Sequence, residues 1–83
     1  MTPANEMELK LDSRSANEGF ARVAVAAFMT QLNPTVEEVA DVKTAVSEAV
    51  TNVIIHGYEK EVRKVYIKCM IEENIFTVEV CDQ

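Results

Sequence analysis

Long apolar runs are missing from this chain. No stretch approaches the roughly 18 consecutive apolar residues that span a bilayer, and the first residues lack the basic-then-apolar order of a signal peptide. The expectation is a cytoplasmic protein with no membrane partner. Basic side chains are also scarce, with 8 Lys and Arg against 14 Asp and Glu for a net charge of −6. Such a field repels nucleic-acid phosphate, which argues against direct DNA or RNA binding. The two cysteines, Cys69 and Cys81, are far from C-x-x-C spacing. They read as reduced thiols, not a metal or redox pair. Internal repeats, low-complexity tracts and flexible linkers are absent, and 83 residues that are 48% hydrophobic make one domain at most.

What is present has a clear order. From Glu6 to Asp12 apolar and polar residues alternate, with Met7, Leu9 and Leu11 on one side and Glu8 and Lys10 on the other, as a half-buried strand requires. Ser15-Ala16-Asn17-Glu18 matches a capping box, and Phe20, Val23, Ala24, Ala27 and Phe28 recur at helical spacing to about Leu32. Asn33-Pro34 breaks that helix. Thr35 with Glu38 then caps a second helix predicted to run to about His56, stopped by Gly57. After the charged segment from Glu59 to Lys64 the period becomes two. Val65, Ile67, Cys69 and Ile71 form one face of a strand, Phe76, Val78 and Val80 one face of the next, and Glu73-Asn74 supplies the tight turn. The order β-α-α-β-β predicts an α+β two-layer sandwich, with helices on one side of a mixed or antiparallel sheet.

The second helix carries the chemistry. Glu48, Asn52 and His56 are spaced by four, and at about 100° per residue each step drifts only about 40°. A carboxylate, an amide and an imidazole therefore line one side of the helix, next to the Val42, Val46, Ala49 and Val53 stripe. The polar stripe is expected to border the core, with Ala45 and Ala49 leaving room beside it. Glu48 and Asn52 together offer oxygen donors to a hard divalent cation whose other positions are filled by water and phosphate. Chance produces such a pattern too, at the boundary of any amphipathic helix. His56, one residue before a glycine, also suits the negative end of the helix dipole.

Asp82 shares the parity of Phe76, Val78 and Val80, which puts a carboxylate on the core-facing side of the last strand. Burying it unpaired costs several kcal/mol. It either escapes into water at a frayed strand end or accepts from a specific donor, such as an exocyclic amine.

The stretch from Ser47 to Tyr58, S-E-A-V-T-N-V-I-I-H-G-Y, resembles the N-box of the ATPase and kinase superfamily that includes gyrase B and the histidine kinases. Within it, the chain is most similar to the anti-sigma serine kinases of endospore-forming bacteria, because the likeness extends to S-A-N-E-G-F-A-R from Ser15 to Arg22 and to the hairpin. That resemblance implies the N-terminal part of a Bergerat-type ATP-binding fold, with ATP and magnesium as cofactors. It implies Glu48 as the base that activates a substrate serine, Asn52 as the magnesium ligand, and His56 near the nucleotide phosphates. By the same likeness Asp82 accepts from the adenine amino group, and Arg22 engages protein partners. The implied partners are a sporulation sigma factor, kept from RNA polymerase, and an anti-anti-sigma protein that is phosphorylated on serine. The complete protein is expected to be a homodimer.

In the family, a Gly-x-Gly turn, a lid and a second glycine-rich loop follow the aspartate, and none of them occurs up to Gln83. Residues 1–83 are accordingly expected to be a single incomplete domain that carries base and metal residues without the phosphate grip. An uncovered sheet edge and exposed apolar helix surface are expected with it. Two alternatives stand beside this reading: a truncated, non-catalytic protein-binding module, and a histidine-kinase-type ATPase domain.

Overall fold

The computed structural model describes residues 4–56 and 62–82. Strand β1 spans Asn5–Asp12, helix α1 Ala16–Met29, helix α2 Val36–His56, strand β2 Lys64–Glu72 and strand β3 Ile75–Asp82. A 3-10 turn, Thr30–Leu32, tightens the end of α1. The three strands form one antiparallel sheet in the order β1-β2-β3. The predicted order and α+β class are those observed.

Period-two patterning decides which face of the sheet is dry. Register aligns Leu9 with Ile67 and Val80, and Met7 with Cys69 and Val78, so the apolar rows stack side by side. On β2, Val65, Ile67, Cys69 and Ile71 are all buried, because this central strand has a neighbour on each edge and helices over one face. The opposite face stays wet. There Glu8, Lys68 and Glu79 make a row of alternating charge, and the Lys10 ammonium lies 5.8 Å from the centre of the Tyr66 ring. The β2–β3 turn is Glu73-Asn74, both with positive φ (53° and 64°), the left-handed pair that a two-residue hairpin demands.

Helix α2 starts as its sequence dictates. Thr35 Oγ1 accepts from the Glu38 amide at 3.0 Å, and Glu38 Oε1 accepts from the Thr35 amide at 2.8 Å. This reciprocal pair satisfies two amides that the first turn would leave unpaired. Helix α1 does not start that way. Ser15 is already helical (φ −58°, ψ −28°) and makes no side-chain cap, so the expected Ser15–Glu18 box is not formed. Asn17 Nδ2 instead donates to the Asp12 carbonyl at 2.8 Å, tying α1 to the end of β1. The stop is Asn33, which takes the left-handed conformation (φ 52°).

The inward face of α1 also differs from expectation. Ala21, Val25, Ala26 and Met29 are buried, whereas Phe20 and Val23 are 54% and 56% exposed and Ala27 is exposed. Apolar residues stand on nearly every side of α1, so helical periodicity does not fix its rotation. Small residues win the inner position because Ala21 and Val25 let the helix approach Val46 and Val50 of α2 and the apolar face of β2. Phe20 and Val23 are left outside, while Phe28 packs against the core with its ring centre 6.5 Å from that of Phe76. Gly57, the expected stop of α2, lies outside the described residues.

Candidate functional site

Two open hollows run along the outer side of α2. The first, about 500 Å³, is lined by Arg22 and Val23 of α1 and by Ala40, Lys43, Thr44, Ser47 and Glu48 of α2. The second, about 390 Å³, is lined by Ser47, Glu48, Thr51 and Asn52. Ser47 and Glu48 border both. The spacing of four thus brings Glu48 and Asn52 to one hollow, as the sequence predicts, and places Arg22 across the adjoining one. Glu48 and Asn52 are exposed, however, and do not border a closed core. The reason is that Val46 and Val50 take the inward side, and the hollow next to Asn52 is walled by α2 itself.

Arg22 is half-buried on α1, whereas Phe20, Val23 and Ala27 are exposed. It projects on the side of α1 that meets α2, with its guanidinium 3.9 Å from Glu18 Oε2. The Glu18 carboxylate in turn accepts from Ser47 Oγ at 2.5 Å. Sequence reasoning assigned Glu18 to a cap and gave Ser47 no role. The two residues are 29 positions apart, and no local pattern in the sequence signals their contact.

Asp82 keeps the predicted parity but is exposed, opposite Val65 at the end of β3, and it lines neither hollow. Leu11, Val65 and Asp82 are in one row, which puts the carboxylate at the end of the sheet where Asp12 receives Asn17 of α1. His56 is the last residue of α2, and its side chain lies outside the described residues.

Residues 11–83 match the family described as the histidine kinase-like ATPase domain. The chain belongs to that ATPase family. It is 58% identical over its full length to an anti-sigma F factor of Thermoanaerobacter sp. (strain X514), spanning 58% of that protein. It is 60% identical over 79 residues to the anti-sigma F factor of Clostridium novyi (strain NT), covering 94% of this chain and 55% of that one. A third, from Caldanaerobacter subterraneus, is 58% identical over 79 residues, covering 95% and 55%. The chain therefore spans little more than half the length of these curated relatives.

Among the described residues, no group of three or more His, Cys, Asp or Glu side chains could hold a metal ion. Glu48 and Asn52 supply oxygen atoms, which suit magnesium, an ion usually held by one or two protein ligands together with phosphates and water. An ion with a full protein cage would need more. Among the described residues, no helix is long and apolar enough to cross a membrane.

Proposed function

We propose that the chain is the N-terminal part of an anti-sigma factor that is also an ATP-dependent protein serine kinase, holding a sporulation sigma factor away from RNA polymerase and phosphorylating an anti-anti-sigma protein. The observation that carries this reading is that Glu48 stands between two hollows, one edged by Arg22 and the other by Asn52. Transfer to a protein hydroxyl needs a base placed between the metal-bound nucleotide and the bound protein. Exposure of Glu48 at the border of both hollows supports that role.

Each residue then has a task. Asn52 holds magnesium, which when bound offsets charge on the phosphates. Glu48 takes the proton of the attacking serine hydroxyl, a role that requires reach and accessibility, and its carboxylate is exposed. Arg22 meets a carboxylate of the sigma factor or of the antagonist, where a guanidinium forks onto both oxygens. Asp82 receives the adenine amino group at the sheet's end, and His56 borders the phosphates. Phosphoryl transfer demands little covalent work from the protein, so positioning and charge supply most of the rate. The acting form is a cytoplasmic homodimer of the whole protein, of which residues 1–83 are an incomplete domain.

The test uses the full-length protein that contains this chain. Glu48→Gln is expected to lower serine phosphorylation of the antagonist by about 10²-fold or more with ATP affinity retained. Unchanged phosphorylation at saturating ATP removes Glu48 as the base. In the same protein, Arg22→Ala weakens sigma or antagonist capture with no loss of ATP affinity; undiminished capture of both proteins removes Arg22 from the interface.

A further inference from the structure

The Glu18–Ser47 contact joins the two halves of this arrangement. Glu18 Oε2 accepts from Ser47 Oγ at 2.5 Å and lies 3.9 Å from the Arg22 guanidinium. Ser47 precedes Glu48, and both border the two hollows. Among the described residues, this is the side-chain hydrogen bond that connects α1 to α2. The two helices also pack through the apolar core, where Ala21 and Val25 of α1 cluster with Val46 and Val50 of α2. Apolar burial is non-directional and tolerates small slides and rotations of one helix on the other. A charge-assisted hydrogen bond is short and directional, so it fixes one rotation and one register.

We infer that Glu18 is a positioning residue: it pins Ser47, and with it the adjoining Glu48, at a set distance from Arg22, so that a protein partner seated on Arg22 presents its hydroxyl to Glu48. This inference rests on the reading of Glu48 as the base and Arg22 as the partner residue. Glu18 touches neither the nucleotide nor the acceptor serine. It acts through Ser47. Its side chain is 27% exposed against 43% for Arg22, which leaves the arginine free to reach a partner while the carboxylate stays between the helices. Sharing one carboxylate oxygen between the two neighbours also makes the link sensitive to what Arg22 does. When a partner carboxylate draws Arg22 away, Glu18 loses its competing cation and commits to Ser47.

The experiment measures kcat and KM for phosphorylation of the cognate anti-anti-sigma protein by the full-length protein with magnesium ATP. Glu18→Ala is expected to lower kcat about tenfold or more, with KM for ATP unchanged, since a misplaced base costs rate and not nucleotide binding. Ser47→Ala lowers kcat to a similar extent, and the double variant falls no further, as expected of two residues that act through one contact. Glu18→Gln, whose amide oxygen still accepts from Ser47, restores most of the rate. A general folding defect would not follow that pattern. The inference is overturned if Glu18→Ala keeps kcat within twofold, if the Glu18 and Ser47 losses multiply in the double variant, or if Gln is as damaging as Ala. Glu48→Gln in the same assay separates the two levels. If it keeps its activity, the reading of the base has failed and the inference with it; if it loses activity while Glu18→Ala does not, only the inference has failed.

Discussion

Ile67→Ala should be among the most damaging substitutions in the sheet. Ile67 is 1% exposed on the central strand, flanked by Leu9 on β1 and Val80 on β3, and it packs in one cluster with Val25 of α1 and Val46 and Val50 of α2. Truncating a buried isoleucine to alanine costs about 2–5 kcal/mol, the upper part applying where neighbours cannot collapse into the space. Ladder hydrogen bonds on both edges of β2 restrain such a collapse, so about 3–4 kcal/mol is expected. At roughly 0.05–0.15 kcal/mol per residue, a domain of this size has only about 4–12 kcal/mol in total. Ile67→Val, which leaves one methyl group missing, should cost about 1 kcal/mol. Lys68→Ala, one residue on and facing the other way, should cost about 1 kcal/mol or less, since only its cross-strand pairing with Glu8 and Glu79 is lost. Urea denaturation of the full-length protein reads all three as midpoint shifts at constant slope. A cost below about 1 kcal/mol for Ile67→Ala, or a cost for Lys68→Ala that equals it, would refute the assigned faces of the sheet.

The capping pair of α2 predicts that Thr35→Ala destabilises by about 1 kcal/mol, read as a lowered melting midpoint; no change would mean that the start of α2 is held by other contacts. Cys69 is buried and burial pushes its thiol up, while Cys81 is exposed, so a thiol reagent at neutral pH should modify Cys81 alone under native conditions and both in denaturant; rapid native labelling of Cys69 would contradict the packing of β2. The hydrogen bond from Lys64, then the attraction of that same charge and of Arg14, holds the Asp12 carboxyl below its usual value of 3.8. A lowered carboxyl contributes stability above that value and loses it as pH falls through the folded value, so the gap between wild type and Asp12→Asn should be open at neutral pH and close on acidification below about pH 4. A gap independent of pH would contradict that pairing.

Elements whose signal is local were legible in the sequence. The alternation of Met7, Leu9 and Leu11 defined β1 to within one residue, Thr35 and Glu38 announced the start of α2, and Glu73-Asn74 marked the hairpin turn, because each depends on neighbours within a few positions. Rotation of α1 was not legible. With Phe20, Ala21, Val23, Ala24 and Val25 nearly consecutive, several faces are apolar, and only contact with α2 and β2 selects Ala21 and Val25 over Phe20 and Val23 for the inside. The site divides in the same way. The four-residue spacing of Glu48 and Asn52 is a property of one helix and brought both to one hollow. Glu18 was taken for a cap because its partner, Ser47, is 29 residues away and no local pattern points there. Asp82 was correctly phased yet placed in water, since a terminal carboxylate avoids the desolvation that its parity would impose.

Paramagnetic broadening by manganese ATP locates the nucleotide's metal on the protein. In the full-length protein labelled with 15N, substoichiometric manganese ATP should erase the amide signals of Ser47 to Asn52 first, with Asn52 at the centre, and spare the Glu73-Asn74 turn. Magnesium ATP should shift the same α2 signals without erasing them. Broadening centred on the hairpin or the Glu37–Glu38 end of α2, with Glu48 and Asn52 unaffected, would contradict the assignment of the metal and nucleotide to the outer side of α2.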